Sequence, residues 1–259
     1  MYAFEYQRPT SRDAAKAAAT GDTRYLAGGQ SLIQAMRLRL SQSERLVDLG
    51  GVADLKGIKA ENNGITIGAM ATHASVASNA DVRRVIPALA ELAAGIGDPM
   101  VRNMGTIGGS IANADPAAVL ALGATIQTDR RKIAADDFFT GLYETALQPG
   151  ELITSVSFPA AQKAAYVKYK QPASRFALIG VFVAQTAAGV RVAVTGAKSH
   201  AFRAKAIEDA LAKSFTAAAA KAVKMPVDGI NSDLHGSAEY RASMIGVMAS
   251  RAVAAALAR

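Results

Sequence analysis

Two short glycine-containing segments carry the residue types that bind an anion. The first, Tyr25 to Ile33, reads Tyr-Leu-Ala-Gly-Gly-Gln-Ser-Leu-Ile, and the second, Arg102 to Pro116, contains Thr-Ile-Gly-Gly-Ser at 106–110. A glycine pair allows positive φ and lets a phosphate approach main-chain N–H groups without help from a lysine. An apolar segment with helical potential follows each pair, and a helix N-terminus also favours an anion. A tight turn explains either pair alone, whereas their recurrence predicts two loops that close on one ligand.

The sequence has few residues that could catalyse a reaction directly. It has no cysteine, which excludes disulfides, thiolate nucleophiles and cysteine-ligated zinc or iron–sulfur clusters in this chain. His73, His200 and His235 are far apart and none has a second ligand at metal-site spacing, so we predict structural or surface roles and no metal site. Asp136-Asp137 is expected to cap a helical turn, although a carboxylate pair can also do acid–base work. We therefore predict no catalytic side chain and a bound dinucleotide cofactor that carries the chemistry.

The net charge of +8 is not distributed as in a nucleic-acid-binding protein. Residues 1–160 hold 15 basic and 16 acidic side chains, whereas residues 161–259 hold 14 basic and 5 acidic ones. The C-terminal basic residues are dispersed and few aromatics accompany them, which argues against nucleic acid as a ligand. They indicate a solvated basic face or a docking surface for an acidic partner protein.

The hydropathy pattern predicts a globular protein without a membrane span. Hydrophobic residues make up 51% and charged residues 19% of the 259 positions. No apolar run reaches the roughly 18 residues that a membrane helix requires. Residues 1–12 lack the basic-then-apolar order of a signal peptide, so we expect a cytoplasmic location.

Periodicity and turn residues predict an α+β organisation. Residues 1 to about 52 read as a small α/β lobe, and residues 53 to 160 as a second lobe that includes an Asn-Gly hairpin at 62–64 and a helix over 81–94 broken at Pro87. The composition changes near Pro159, our predicted boundary. Residues 161–259 then read as three strands followed by three helices, an order typical of a separate α+β domain.

The motifs resemble those of a known family of flavoproteins. Ala27-Gly28-Gly29-Gln30-Ser31 with Leu32-Ile33, the run from Arg102-Asn103 through Asp115-Pro116, and the flanks Ile67 to His73, Pro172 to Ala177 and Phe202 to Ala204 resemble the FAD-binding medium subunit of the molybdenum hydroxylases. That is the carbon monoxide dehydrogenase and xanthine dehydrogenase family. The resemblance covers the whole chain.

The resemblance implies a specific fold and a specific set of cofactor contacts. It implies a two-lobed FAD-binding domain of the vanillyl-alcohol oxidase type over 1–160 and a C-terminal α+β domain over 161–259 that closes over the flavin. In the first segment it implies cofactor contacts from Ala27, Gly28, Gly29, Gln30, Ser31 and Leu32, and in the second from Thr106, Ile107, Gly108, Gly109 and Ser110, through N–H groups and hydroxyls on the pyrophosphate. Lys168 or Lys170 would lie near the pyrimidine edge of the flavin, the alternative being a surface position on a strand.

One segment departs from the family pattern. Family members usually follow Asn-Ala-Asp-Pro-Ala-Ala with an Asp that helps to hold the adenosine half of FAD, whereas here Ala117-Ala118 runs straight into Val119-Leu120. Either the loop is shorter in this protein or residues are absent from the sequence at this point. Asp115 is the nearby carboxylate to which we assign the adenosine contact.

The resemblance implies an electron-transfer subunit of an oxidoreductase. A large subunit would hold the molybdenum cofactor, a small subunit would hold iron–sulfur clusters, and two such heterotrimers would form a dimer. FAD in this chain would receive the electrons and pass them to an external acceptor. An assembly or binding module that docks to partner subunits without retaining flavin is the alternative. A stand-alone flavin oxidase is a third possibility, which the absence of a placed substrate base disfavours.

Overall fold

The N-terminal segment forms a small parallel sheet in which the third strand along the chain lies between the first and the second. The computed structural model describes residues 1–61, 63–113, 117–141 and 144–259. Buried Leu46 and Val47 lie on the central strand, and Ser11 caps the first helix by accepting a hydrogen bond from the Ala14 N–H. The elements of this lobe are β1 (Glu5–Gln7), α1 (Arg12–Ala18), β2 (Thr23–Leu26), α2 (Leu32–Arg37) and β3 (Arg45–Asp48).

A second, antiparallel sheet of five strands follows, in the order Ile58–Glu61, Gly64–Gly68, Ile153–Pro159, Thr125–Thr128 and Lys132–Ala134. The predicted hairpin is confirmed by the antiparallel pairing of its two strands, although Asn62 lies outside the described residues. Alternate side chains such as Ile65, Ile67, Val156 and Phe158 are buried, as expected for strands with one face on a core. The strands are β4 (Ile58–Glu61), β5 (Gly64–Gly68), β6 (Thr125–Thr128), β7 (Lys132–Ala134) and β10 (Ile153–Pro159), and a separate pair comprises β8 (Phe139–Gly141) and β9 (Glu144–Thr145).

In the described part of this lobe, six short α-helices lie between β5 and β6. Pro87 stands at the first turn of a new helix, so the predicted helix over 81–94 is two helices that meet at Ile86. Thr72, Asn79, Asp98 and Thr106 each cap a helix through a side-chain oxygen. The helices are α3 (His73–Ser78), α4 (Ala80–Val85), α5 (Pro87–Ala94), α6 (Pro99–Met104), α7 (Ile107–Ala112) and α8 (Ala117–Ala121).

The C-terminal part is an antiparallel sheet covered by helices, which confirms the α+β class. Its sheet has four strands and not the three predicted, because a two-residue strand, too short to show periodicity, pairs with β13. The last helix runs for 20 residues, and buried residues recur along it from Arg241 to Ala256. The elements are β11 (Lys163–Lys170), β12 (Ala177–Thr186), β13 (Gly189–Thr195), β14 (Phe202–Arg203), α9 (Lys205–Lys213), α10 (Ala217–Ala222) and α11 (Ala238–Leu257).

The C-terminal sheet packs directly on the second lobe. Phe182 and Ala193 belong to the same buried cluster as Ile126 and Phe158 of the five-stranded sheet. The Arg191 guanidinium adds a polar contact, since it donates to the Leu120 carbonyl oxygen at 2.8 Å. Within the described ranges, the structure has no helix with the length and apolar character that a bilayer crossing needs.

Candidate functional site

A cleft of about 670 Å³ lies where the three parallel strands of the first lobe end. The segments that leave β1, β2 and β3 meet at this edge, because carboxyl ends of parallel strands lie together. Helices α3 and α6 of the second lobe form the opposite wall. Residues that line the cleft include Arg8, Ala27, Gly28, Gly29, Gln30, Asp48, Gly50, Lys56, Thr72, Ser75, Asn103, Met104 and Thr106.

The first glycine pair brings the two lobes into direct contact. A Cβ on Gly28 would lie 2.2 Å from the Met104 carbonyl oxygen and 2.7 Å from the Gly105 Cα, so only glycine fits. Gly29 has φ +70°, in the left-handed region that glycine adopts most readily. The side-chain amide of Gln30 donates to the Gly28 carbonyl oxygen at 3.1 Å. The loop is therefore held against the end of α6.

The N–H groups of this loop are open to a ligand. Within the part of the chain that the structure describes, those of Gly28, Gly29, Gln30, Ser31 and Leu32 donate no hydrogen bond to protein acceptors. The next N–H, that of Ile33, begins the helical pattern by donating to the Gly29 carbonyl oxygen. Several adjacent N–H groups before a helix are a favourable arrangement for a phosphate.

The second glycine pair has a different local structure. Helix α7 begins at Ile107, so Gly108 and Gly109 lie within its first turn and not in a loop before it. The N–H groups here are already bonded: Ile107 to the Ala71 carbonyl, Gly108 to the Ala69 carbonyl, Gly109 to the Thr106 Oγ1 and Ser110 to the Thr106 carbonyl. Thr106, which is 3% exposed, lines the cleft, and the backbone of this segment fastens α7 to the residues that follow β5.

A buried histidine supports the second segment from behind. His73 is 6% exposed, and its Nε2 lies 3.1 Å from the Ser110 Oγ. Its backbone N–H donates to the Gly105 carbonyl oxygen at 2.9 Å. Burial, followed by the nearby Arg102 charge, lowers the pKa of His73 to about 4, so the imidazole is neutral at pH 7. The prediction of a structural histidine fits this position.

The predicted site residues do not all reach the first cleft. Of those that the structure describes, Ala27, Gly28, Gly29, Gln30 and Thr106 line it. Ser31 accepts a hydrogen bond from the Asn113 side chain at 3.3 Å, which joins the first loop to the end of α7. Leu32 begins α2, and Ile107 and Gly108 are buried against the sheet. Asp115 lies outside the described residues.

A second cleft, of about 350 Å³, lies on the other side of α6. Its cations are Arg102, Lys170 and Arg175. Arg102 also donates to the carbonyl oxygens of Ile96 and Gly97 at 2.9 and 3.2 Å, which fixes the turn between α5 and α6. Lys168 is directed to that turn as well, since its Nζ donates to the Gly95 carbonyl oxygen at 2.6 Å. Of the two predicted lysines, Lys170 is therefore the one at a cleft.

Comparisons with known proteins identify the family. A family model described as the FAD binding domain in molybdopterin dehydrogenase matches residues 2–161. The chain belongs to this family. The carbon monoxide dehydrogenase medium chain of Hydrogenophaga pseudoflava is 36% identical in an alignment of 280 positions that covers 99% of this chain and 98% of that protein. The nicotine 6-hydroxylase medium subunit of Paenarthrobacter nicotinovorans is 34% identical over 279 residues, with the same coverage of both chains.

A solved structure supports the same assignment over the whole fold. A chain of the reconstituted CO dehydrogenase from Oligotropha carboxidovorans superposes with a TM-score of 0.90 at 35% identity, covering all of this chain and 99% of that chain. The sequence resemblance, the fold class and FAD as the cofactor are thus confirmed. The protein is an oxidoreductase subunit of the molybdopterin dehydrogenase family.

The donors of the first cleft suit a pyrophosphate. Gly28, Gly29 and Gln30, whose N–H groups have no acceptor in the described chain, line it together with Thr106. Among the described residues that line the cleft, none lies beyond Pro116, and Ala117 and Ala118 are buried at the start of α8. The donor set therefore suits the phosphates, and Asp115, the predicted adenosine contact, lies outside the described residues.

Sequence reasoning missed several residues of the cleft. Arg8, Asp48 and Lys56 come from three separate segments and form no recognisable motif. The signal that could have found them is positional, because Arg8 directly follows β1 and Asp48 ends β3.

Proposed function

We propose that this chain is the flavin-carrying electron-transfer subunit of a molybdenum hydroxylase. It takes electrons from iron–sulfur clusters in a partner subunit and delivers them to an external acceptor. The observation that carries the proposal is the open row of N–H groups from Gly28 to Leu32, held by Gly28 against α6 at the edge of a cleft between two lobes. Such a row suits a pyrophosphate.

The two glycine segments take unequal parts in holding FAD. The first segment, Ala27 to Leu32, donates backbone N–H groups to the pyrophosphate. The second segment, Thr106 to Ser110, contributes the Thr106 hydroxyl, while its glycines let α7 pack close to the first loop. Asp115 is the proposed contact for the adenosine half.

The second cleft is the proposed place of the pyrimidine edge of the flavin. Arg102, Lys170 and Arg175 would stabilise negative charge on the reduced ring, as fixed cations do for developing charge elsewhere. Lys168 acts in support by holding the Gly95 carbonyl. When bound, FAD supplies the redox chemistry that the side chains lack.

The absence of cysteine is the basis for the proposed partners. No iron–sulfur cluster with cysteine ligands can reside in this chain, so those clusters belong to a small partner subunit. A large partner would hold the molybdenum cofactor, and we propose a dimer of heterotrimers in the cytoplasm. Two relatives that are about equally similar to this chain are named for different substrates, carbon monoxide and nicotine. This supports the proposal that another subunit selects the substrate.

Reconstitution with FAD tests the proposal. The purified full chain is incubated with FAD, separated from free cofactor, and its flavin absorbance is compared with protein concentration. We expect about one flavin per chain, and reduction of that flavin only when the partner subunits and their substrate are added. A chain that stays colourless yet still assembles with its partners would instead support the non-redox assembly module.

A further inference from the structure

The polar end of the first cleft contains two cations that the proposed contacts do not use. Arg8 follows β1, and Lys56 follows the 3₁₀ turn at Ala53–Leu55, so both stand beside the carboxyl ends of the parallel strands. Both line the same cleft as the open N–H groups of Gly28 and Gln30. Two cations that share one cleft with a row of N–H donors favour the binding of an anion with more than one charge.

Asp48 orients this end of the cleft and is itself fully engaged. Its Oδ1 accepts from the Gly50 N–H at 2.7 Å, and its Oδ2 accepts from the Tyr6 hydroxyl and lies 3.5 Å from the Arg8 Nε. The Asp48 side chain is 16% exposed, whereas that of Arg8 is 60% exposed. The carboxylate therefore holds Arg8 at its Nε, while more than half of the Arg8 side chain remains exposed.

A third glycine pair sets the position of the two cations. A Cβ on Gly51 would lie 2.5 Å from the Pro9 carbonyl oxygen, so glycine allows the segment after β1 to pack on the end of β3. The Gly50 carbonyl oxygen accepts from the Lys56 Nζ at 2.8 Å. This arrangement brings Arg8 and Lys56 to one strand end. Their combined charge of +2 exceeds the single charge of Asp48.

We infer that Arg8 and Lys56 bind the diphosphate group of FAD, as the charged complement to the backbone donors of the first glycine loop. The inference rests on the proposed function, since it names two further side chains for the proposed cofactor contact. Because both side chains are cations, we expect them to recognise the anionic diphosphate and not the flavin ring or the adenine. The same two residues should therefore contribute to the binding of ADP and leave riboflavin binding unchanged.

Substitutions that remove each charge test the inference in the full-length chain freed of FAD. We expect Arg8→Gln and Lys56→Gln each to weaken FAD and ADP binding about three- to tenfold at low ionic strength, with riboflavin binding unchanged. The differences should shrink in about 0.5 M salt, because screening weakens partly exposed charge pairs. Arg24→Gln and Lys59→Gln are matched controls, since both residues are exposed strand positions with the same charge change.

The Arg8→Lys variant distinguishes a loss of binding caused by the lost charge from one caused by lower stability. Because Arg8 also pairs with Asp48, its replacement by glutamine can lower stability, so thermal unfolding of each apo variant is recorded alongside binding. Retention of FAD affinity by Arg8→Lys supports the inference. Unchanged FAD and ADP affinities in the two glutamine variants overturn it, as does an equal loss of riboflavin binding. A wild-type chain that binds no FAD under any condition overturns the proposed function itself.

Discussion

The two glycine pairs share a sequence pattern, yet their backbones serve different purposes. From Gly28 to Leu32 the N–H groups have no protein acceptor in the described chain, and Gly28 to Gln30 line the cleft, whereas from Ile107 to Ser110 every N–H is bonded internally. The first segment is therefore a donor surface. The second is a support that holds one helix close to both the sheet and the first loop.

The difference follows from where each helix begins. After the first pair, Gln30 and Ser31 separate the glycines from α2, so the loop can turn through positive φ at Gly29. At the second pair Thr106 caps α7 immediately, and Gly108 enters the helix. A Cβ there would lie 2.7 Å from the Ala69 Cβ, so close packing requires the glycine. A Gly-Gly pair thus indicates that another group approaches the backbone closely. It does not tell whether that group is a ligand or another segment of the chain.

The largest effect is expected from Gly28→Ala, which would force the two lobes apart. The new Cβ would meet backbone atoms of Met104 and Gly105, which cannot move aside as a flexible side chain can. We expect FAD affinity to fall about 100-fold, measured by flavin fluorescence titration of the apo chain. Gly57→Ala is the control, because that position faces open space. Equal affinities in the two variants would contradict the proposed role of the first loop.

Gly108→Ala should act on stability more than on cofactor binding. We expect the free energy of unfolding of the apo chain to fall by about 1–3 kcal/mol in urea denaturation, since the core next to Ala69 is overpacked. The neighbour Gly109→Ala should cost less, because its Cβ would meet only the Thr106 Oγ1 at 3.0 Å and the Ala27 Cβ at 3.5 Å. A larger loss of FAD affinity than of stability in Gly108→Ala would show that the second pair also approaches the ligand.

The fold was predictable where elements are long and periodic. Strands such as β12 and the helix α11 were recognisable from alternation and from helical spacing. The two-residue strand β14 was not, because pairing with β13 and not local sequence defines it. Helix α7 was read as a loop because glycine is a poor helix former, and hydrogen bonds to the Ala69 and Ala71 carbonyls override that preference.

The site was predictable only as far as its motifs extend. Ala27 to Gln30 and Thr106 line the cleft, and their contact with FAD stays a prediction. Arg8, Asp48 and Lys56 reach it through sheet topology, which no local pattern records. A motif also does not tell which N–H groups donate hydrogen bonds within the protein. The two glycine segments differ in this respect.

The buried histidine behind the second segment makes stability depend on pH. The unfolded chain binds a proton at His73 with the ordinary pKa of 6.5, whereas the folded chain has a pKa of about 4. Protons therefore favour the unfolded state as pH falls below 6.5, and we expect the free energy of unfolding to decrease by about 1.5 kcal/mol between pH 6.5 and 5. Urea denaturation across this range measures it. His73→Gln keeps a hydrogen-bonding side chain beside Ser110 and should make the unfolding free energy depend less on pH. An unchanged slope of unfolding free energy against pH would refute the assignment of this dependence to His73.

The smallest effects are expected from removing the hydroxyls of Thr106 and Ser31, which lie close to the two glycine pairs. Thr106 caps α7 by accepting from the Gly109 N–H at 3.1 Å, whereas Ser31 makes no side-chain cap to α2. We expect Thr106→Ala to lower the unfolding free energy by about 1 kcal/mol and Ser31→Ala by less than about 0.5 kcal/mol. Thr106→Ser should retain the cap. Equal losses in the two alanine variants would mean that both hydroxyls serve the backbone, and the distinction between donor loop and support would then rest on the N–H groups alone.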